Sequence, residues 1–215
     1  MHKIGHRGAK GYVAENTLAS FQKAIELGVD MIELDVYHSK DTIPMVIHDK
    51  TIDRTTIGSG LVYDFTAVAL QEFGIPTLEE VFQLVNNQCA INIEIKVFEA
   101  VQSVLKIIDS LVFAKEKLLI SSFDWNALQE VRFHDDEIRI GVLTQTDINL
   151  ALAFAKFIKA FSIHPYYHLV TKENVIQMQS KNFKVYPWTI NEPEDIIFVK
   201  SLQVDGIITD FPDRL

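Results

Sequence analysis

The feature that most limits the fold is an alternation. Short apolar, β-branched runs at 2–6, 31–36, 90–96, 118–122, 138–143, 158–163, 183–188 and 206–209 are separated by segments with apolar residues at helical spacing. Helices are expected between Thr17 and Gly28, from Thr77 onward, and near 99–112, 125–133, 147–156, 171–180 and 193–201. About eight strands separated by helices predict an α/β fold, the (β/α)8 TIM barrel. An open doubly wound sheet is the competing arrangement, but no Gly-x-Gly-x-x-Gly or P-loop sequence favours it.

Residues 38–74 break the rhythm. Pro44 to His48 reads as one more short strand. The stretch 49–74, rich in Thr, Gly and Asp, is too long for an ordinary strand–helix connection and reads as a small inserted loop or subdomain after the second strand. The chain has 215 residues, so 1–215 is expected to form one barrel domain near the lower length of that fold. Several boundaries carry their own signals. Thr17 or Asn16 can cap the first helix and Gly28 can end it. Thr77 with Glu80 forms a capping box, and Asn191 with Pro193 marks the start of the last helix.

The strand Met31-Ile32-Glu33-Leu34-Asp35-Val36 puts Ile32, Leu34 and Val36 on one face and two carboxylates on the other. Ile91, Ile93, Ile95 and Val97 likewise share a face opposite Asn92, Glu94 and Lys96. Polar faces that converge suit a barrel whose site lies at the C-terminal strand ends. The residues expected on that rim are His6, Arg7, Glu33, Asp35, His48, Asp49, Glu94, Lys96, Ser121, Ser122, His164, Trp188, Thr189, Thr209 and Asp210.

Composition excludes several classes. The net charge of −9 argues against a surface that tracks nucleic-acid phosphates. No apolar run reaches a membrane span, and no basic-then-apolar leader precedes His6. The lone Cys89 cannot form an internal disulfide and fits a reducing compartment, so a cytoplasmic location is expected.

The rim residues suggest chemistry. Glu33, Asp35 and Glu94 supply hard oxygen ligands for one divalent cation, Mg²⁺ or Ca²⁺. His6 and His48 form a possible acid/base pair near neutral pH. Arg7 and Lys96 offer positive charge to an anion such as phosphate. Singly, each has a bland reading: a satisfied histidine, a solvated acid pair, a Lys96–Glu94 ion pair, or Phe123 and Trp188 as core. Their coincidence on one rim carries the argument.

The chain resembles the glycerophosphodiester phosphodiesterase family. The matching segments are His6-Arg7-Gly8, Glu15-Asn16-Thr17, Glu33-Leu34-Asp35-Val36, His48-Asp49, Asp53-Arg54-Thr55-Thr56 with Gly58-Ser59-Gly60, Ile75-Pro76-Thr77-Leu78 and Glu94-Ile95-Lys96. They continue with Ser121-Ser122-Phe123, Trp188-Thr189-Ile190-Asn191 and Asp205-Gly206-Ile207-Ile208-Thr209-Asp210-Phe211-Pro212. The family usually has Pro where this chain has Ala14, a change that touches loop stiffness. The resemblance implies the barrel with its insertion, a divalent ion on Glu33, Asp35 and Glu94, and His6 and His48 as acid and base. It implies a small-molecule glycerophosphodiester substrate, split into glycerol 3-phosphate and an alcohol through a cyclic phosphate. Arg7, Lys96, Phe123 and Trp188 are the expected substrate contacts. The competing functions are a lysophospholipase-D-type phosphodiesterase and a non-catalytic sugar-phosphate-binding barrel.

Overall fold

A computed structural model describes residues 1–215. Its strands are β1 (His2–Gly5), β2 (Met31–His38), β3 (Pro44–Val46), β4 (Ala90–Ile95), β5 (Leu118–Ser122), β6 (Arg139–Thr144), β7 (Ser162–Pro165), β8 (Lys184–Val185) and β9 (Gly206–Thr209). The helices are α1 (Leu18–Glu26), α2 (Ala67–Glu72), α3 (Leu78–Val85), α4 (Val101–Ser110), α5 (Trp125–His134), α6 (Ile148–Phe157), α7 (Lys172–Gln179) and α8 (Pro193–Ser201). Eight strands are parallel in the order β8-β7-β6-β5-β4-β2-β1-β9, and β3 runs antiparallel to β2. The chain after β8 completes the ring, because Ile208 N donates to Pro187 O and Ile190 N donates to Ile208 O, each at 3.0 Å. The expected (β/α)8 barrel is the observed fold.

Two strands depart from expectation for local reasons. The run 183–188 forms a regular ladder only at Lys184–Val185, because Pro187 has no N–H to donate. The run expected at 158–163 is a strand only from Ser162 to Pro165. Ile158 instead closes α6 and buries there, and Lys159 turns the chain with φ 52°. An apolar run alone cannot distinguish a helix end from a strand start.

Strand periodicity then sorts the side chains. Ile32, Leu34, Val36, Ile91, Ile93 and Ile95 point outward into the cluster packed under the helices. Ile4, Met31, Leu119, Tyr186 and Ile208 fill one end of the barrel interior as an apolar plug. Glu33 and Asp35 are 3% and 1% exposed, so the polar face of β2 is enclosed, not solvated. Residues between β3 and α3 pack on a separate cluster of Met45, Ile47, Ile52, Val62, Ala67, Leu70 and Ile75.

The caps follow the expected chemistry at two helices. Thr17 caps α1 by accepting from Ser20 N, and Thr77 with Glu80 forms a complete capping box on α3. At α8 the N-cap is Glu192 without a side-chain bond, and Pro193 opens the helix. Asn191 is therefore not the cap; it serves the barrel rim. No helix is long and apolar enough to cross a membrane.

Candidate active site

The loop after β1 is bent sharply around α1. Gly8 has φ 87°, and a Cβ there would lie 2.4 Å from Ser20 Oγ, so only glycine permits this approach. The bend aims Arg7 N at Glu33 Oε2, at 2.9 Å. Arg7 also reaches Glu15 Oε1 at 2.7 Å and lies 3.2 Å from Asp35 Oδ2. Asn16, with φ 55°, donates to Asp35 Oδ2 at 2.9 Å. Lys96 Nζ lies 2.6 Å from Glu94 Oε1 and 3.2 Å from Asp35 Oδ1.

These contacts assemble a buried acidic cluster. One carboxylate oxygen from each of Glu33, Asp35 and Glu94 lies within 4.8 Å of the others. The parallel register explains it, since Glu33 sits beside Asn92 and Asp35 beside Glu94. Burial, then the charges of Asp35 and Glu94, raise Glu33 well above the carboxylate range. Burial and Asp35 push Glu94 up to about 7. Burial opposes ionisation of Asp35 too, but Lys96 and Arg7 outweigh it and hold the group at about 2. Hard oxygen donors this close are a fitting set for a divalent cation.

The two histidines flank this cluster, each held by a carboxylate. His6 follows β1, and its Nδ1 lies 2.6 Å from Asp210 Oδ1. Asn191 steadies Asp210, donating to its Oδ2 at 2.8 Å and accepting from its backbone N at 2.9 Å. His48 follows β3; Ile47 N donates to Asp35 O at 3.0 Å, which sets His48 near the acids. His48 Nδ1 lies 2.6 Å from Asp49 Oδ1. In each ring the carboxylate occupies Nδ1, which fixes the tautomer and leaves Nε2 for chemistry. Burial lowers both imidazolium pKa values, and hydrogen bonds to Asp210 and Asp49 oppose it.

Arg54 joins the segment after β3 to the barrel. Its Nε donates to Asp49 Oδ2 at 2.6 Å, and its Nη2 to Glu15 Oε1 at 2.7 Å. With Glu15 also on Arg7, an ionic chain runs from Asp35 through Arg7, Glu15, Arg54 and Asp49 to His48. Arg54→Ala is expected to lower kcat/KM about tenfold, near 1.4 kcal/mol of transition-state stabilisation, because Asp49 loses the group that aims it. Steady-state kinetics beside a circular-dichroism melt would check this; wild-type kinetics would show that Asp49 holds His48 unaided.

Of the expected substrate contacts, Trp188 lines the cavity shared by His6, Glu33 and Glu94. Its indole N–H donates to His164 O at 2.9 Å. Phe123, 41% exposed, packs edge-on against Trp188 at 5.5 Å between ring centroids. His48, Glu15, Asn16 and Arg54 line an adjoining cleft of about 700 Å3 between the first loop and the segment after β3. Four supporting groups have no role legible in the sequence: Asp49 and Asp210, which it places on the rim, and Asn16 and Arg54, which it does not. All lie inside the quoted motifs, but nothing in a motif tells which partner each will meet.

Known proteins match this chain along nearly its whole length. The glycerophosphoryl diester phosphodiesterase family model matches residues 6–214. A glycerophosphodiester phosphodiesterase from Caldanaerobacter subterraneus subsp. tengcongensis is 38% identical, covering 99% of this chain and 95% of that protein. The structure of an Oleispira antarctica phosphodiesterase in complex with the product sn-glycerol-3-phosphate superposes with a TM-score of 0.91 at 26% identity, covering 98% of this chain and 93% of that one. A Thermotoga maritima glycerophosphodiester phosphodiesterase structure gives 0.88 at 32% identity, covering 99% and 96%.

Proposed function

Because the chain belongs to the glycerophosphoryl diester phosphodiesterase family, we propose that His6, His48 and the Glu33–Asp35–Glu94 cluster carry out the family's reaction here. The protein is a phosphoric diester hydrolase that splits glycerophosphodiesters into glycerol 3-phosphate and an alcohol. One observation carries the assignment of residues: two carboxylate-anchored histidines flank a buried three-carboxylate cluster.

Glu33, Asp35 and Glu94 would hold one Mg²⁺ or Ca²⁺; both take oxygen ligands. When bound, such an ion supplies charge neutralisation at the phosphoryl group and lowers the pKa of a substrate hydroxyl. The protein's own groups do the rest. His48, neutral, takes the proton through Nε2 as the glycerol 2-hydroxyl oxygen forms its bond to phosphorus. His6, protonated, gives its Nε2 proton to the alcohol oxygen as the old P–O bond breaks. A cyclic phosphate results. The roles then reverse: His6 takes a proton from water as that water attacks phosphorus, and His48 returns one to the 2-oxygen as its bond to phosphorus breaks. Arg7 and Lys96 meet the phosphate charge.

Support for this order comes from the partners. Asp49 shares its charge with Arg54, so it sustains an imidazolium less well than Asp210, whose other partner is the neutral Asn191. This partnering favours the protonated state at His6 over His48, against the burial that lowers both imidazolium pKa values.

Trp188 and Phe123 would pack the carbon side of glycerol, which makes glycerol the recognised end. Choline, ethanolamine and glycerol esters are then expected to differ in kcat/KM by less than about two orders of magnitude, under about 3 kcal/mol. Supplied glycerol 1,2-cyclic phosphate is expected to turn over at least as fast as the diesters. Slow or absent hydrolysis of it, followed by phosphorus NMR, would rule out internal attack.

A further inference from the structure

Three buried polar atoms in the barrel have no hydrogen-bond partner: Asn92 Oδ1, Ser121 Oγ and His164 Nδ1. They come from β4, β5 and β7, and all three residues line a cavity of about 20 Å3 together with Glu33 and Glu94. An unpaired polar atom away from water is destabilising. Three of them around one cavity have a common remedy if a single polar group fills it. A water needs room of roughly 10–15 Å3 and two to four polar partners, and this cavity offers both.

The register shows how the site is built. Ser121 lies beside Glu94 on one side and Gly141 on the other. A Cβ on Gly141 would lie 2.5 Å from His164 Nε2, so the missing side chain is what lets the imidazole lie there. Ser162 Oγ is 2.8 Å from His164 Nε2. Burial pushes the His164 imidazolium down to about 3, so the ring is neutral and carries one proton. Assigning the Ser162 hydroxyl as the donor to Nε2 places that proton on Nδ1, where it can serve the otherwise unpaired atom. Nδ1–H and the Ser121 hydroxyl then donate into the cavity, and Asn92 Oδ1 accepts. Arg7 N engages only Oε2 of Glu33, and Lys96 only Oε1 of Glu94, so each glutamate keeps a second oxygen as a further acceptor. Two donors and three acceptors thus face the cavity, enough to engage both lone pairs and both protons of one water molecule.

We propose that Asn92, Ser121 and His164 form a binding site for one water, and that this water orients the Glu33 and Glu94 carboxylates for cation binding. Its second half rests on the cation site proposed above. Asn92, Ser121 and His164 are in this sense positioning residues; they act through the glutamates.

A crystal structure of the cation-free protein that resolves ordered solvent tests the first half. One peak within hydrogen-bond distance of Asn92 Oδ1, Ser121 Oγ and His164 Nδ1 is expected, and it should persist with glycerol 3-phosphate bound. An empty cavity, or a ligand hydroxyl in that place, would overturn the water site. Calorimetric titration with Mg²⁺ and Ca²⁺ tests the second half on Ser121→Ala and Ser162→Ala. Each is expected to weaken cation binding about 10–100-fold, the usual effect of losing a group behind a metal ligand, with the cation-free protein still folding cooperatively at a melting temperature lowered by a few degrees. Ser162 is outside the cavity lining and acts only through the His164 tautomer, so a general packing defect would not reproduce the pair of results. Wild-type affinity in both variants would overturn the orienting role. If one variant does not fold, the other and the solvent density decide. Failure of the wild-type protein to bind either cation would refute the cation site itself, and the density would still decide the water.

Discussion

Removing divalent cations is expected to lower turnover of glycerophosphocholine by at least about 10³-fold, several kcal/mol of transition-state stabilisation, and added Mg²⁺ or Ca²⁺ should restore it. Glu33, Asp35 and Glu94 are buried together, and like charges at this spacing disfavour joint ionisation unless a cation sits among them. Burial first, and these like charges after it, raise the pKa values of Glu33 and Glu94. A carboxyl whose folded pKa is raised adds stability below its unfolded pKa and loses it as pH rises through the folded value. The cation-free protein should therefore lose stability as pH climbs from about 5 through the Glu94 value of about 7. A cation binds the ionised form and competes with protons. The gain in melting temperature on adding Mg²⁺ or Ca²⁺ should accordingly be larger at pH 8 than at pH 5.5. Equal gains at both pH values, or full turnover in excess chelator with no retained metal, would sink this reading of the cluster.

Replacing His6 or His48 by alanine should each lower kcat by roughly 10²–10⁴-fold, the usual worth of a positioned acid or base. Folding should be little disturbed, since the His6 and His48 side chains keep 12% and 32% exposure and lie at the rim, away from the main hydrophobic cluster. The two losses should not multiply, because two groups that move protons in one step act as a unit. The double variant is expected within about tenfold of the worse single variant. Near-wild-type kcat in either single variant would remove that histidine from the assignment, and fully multiplicative losses would argue for independent roles.

Much of this site is readable from residue order because strand geometry is periodic. Glu33, Asp35 and Glu94 fall on the inner face for the same reason that Ile32, Leu34, Ile93 and Ile95 fall on the outer one. A parallel strand's C-terminal end can be located from the helix that follows it, which places His6, Lys96 and Trp188 at the rim. About eight strand–helix repeats suit closure into a barrel, and closure makes the polar faces converge.

What residue order does not contain is who meets whom once the ring closes. Asp210 lies 204 positions from His6 in the chain, and only the pairing of β1 with β9 makes them neighbours. Arg54 reaches Glu15 because the segment after β3 folds back over the first loop. Asn191 looks like a helix cap until Asp210 and Thr209 compete for its amide. His164 looks like one more rim residue until Gly141 leaves the gap that admits its ring and burial holds it neutral. Periodicity is a local property of the backbone and survives any context. Hydrogen-bond partnership depends on distances across the barrel, and those exist only after the chain has closed on itself.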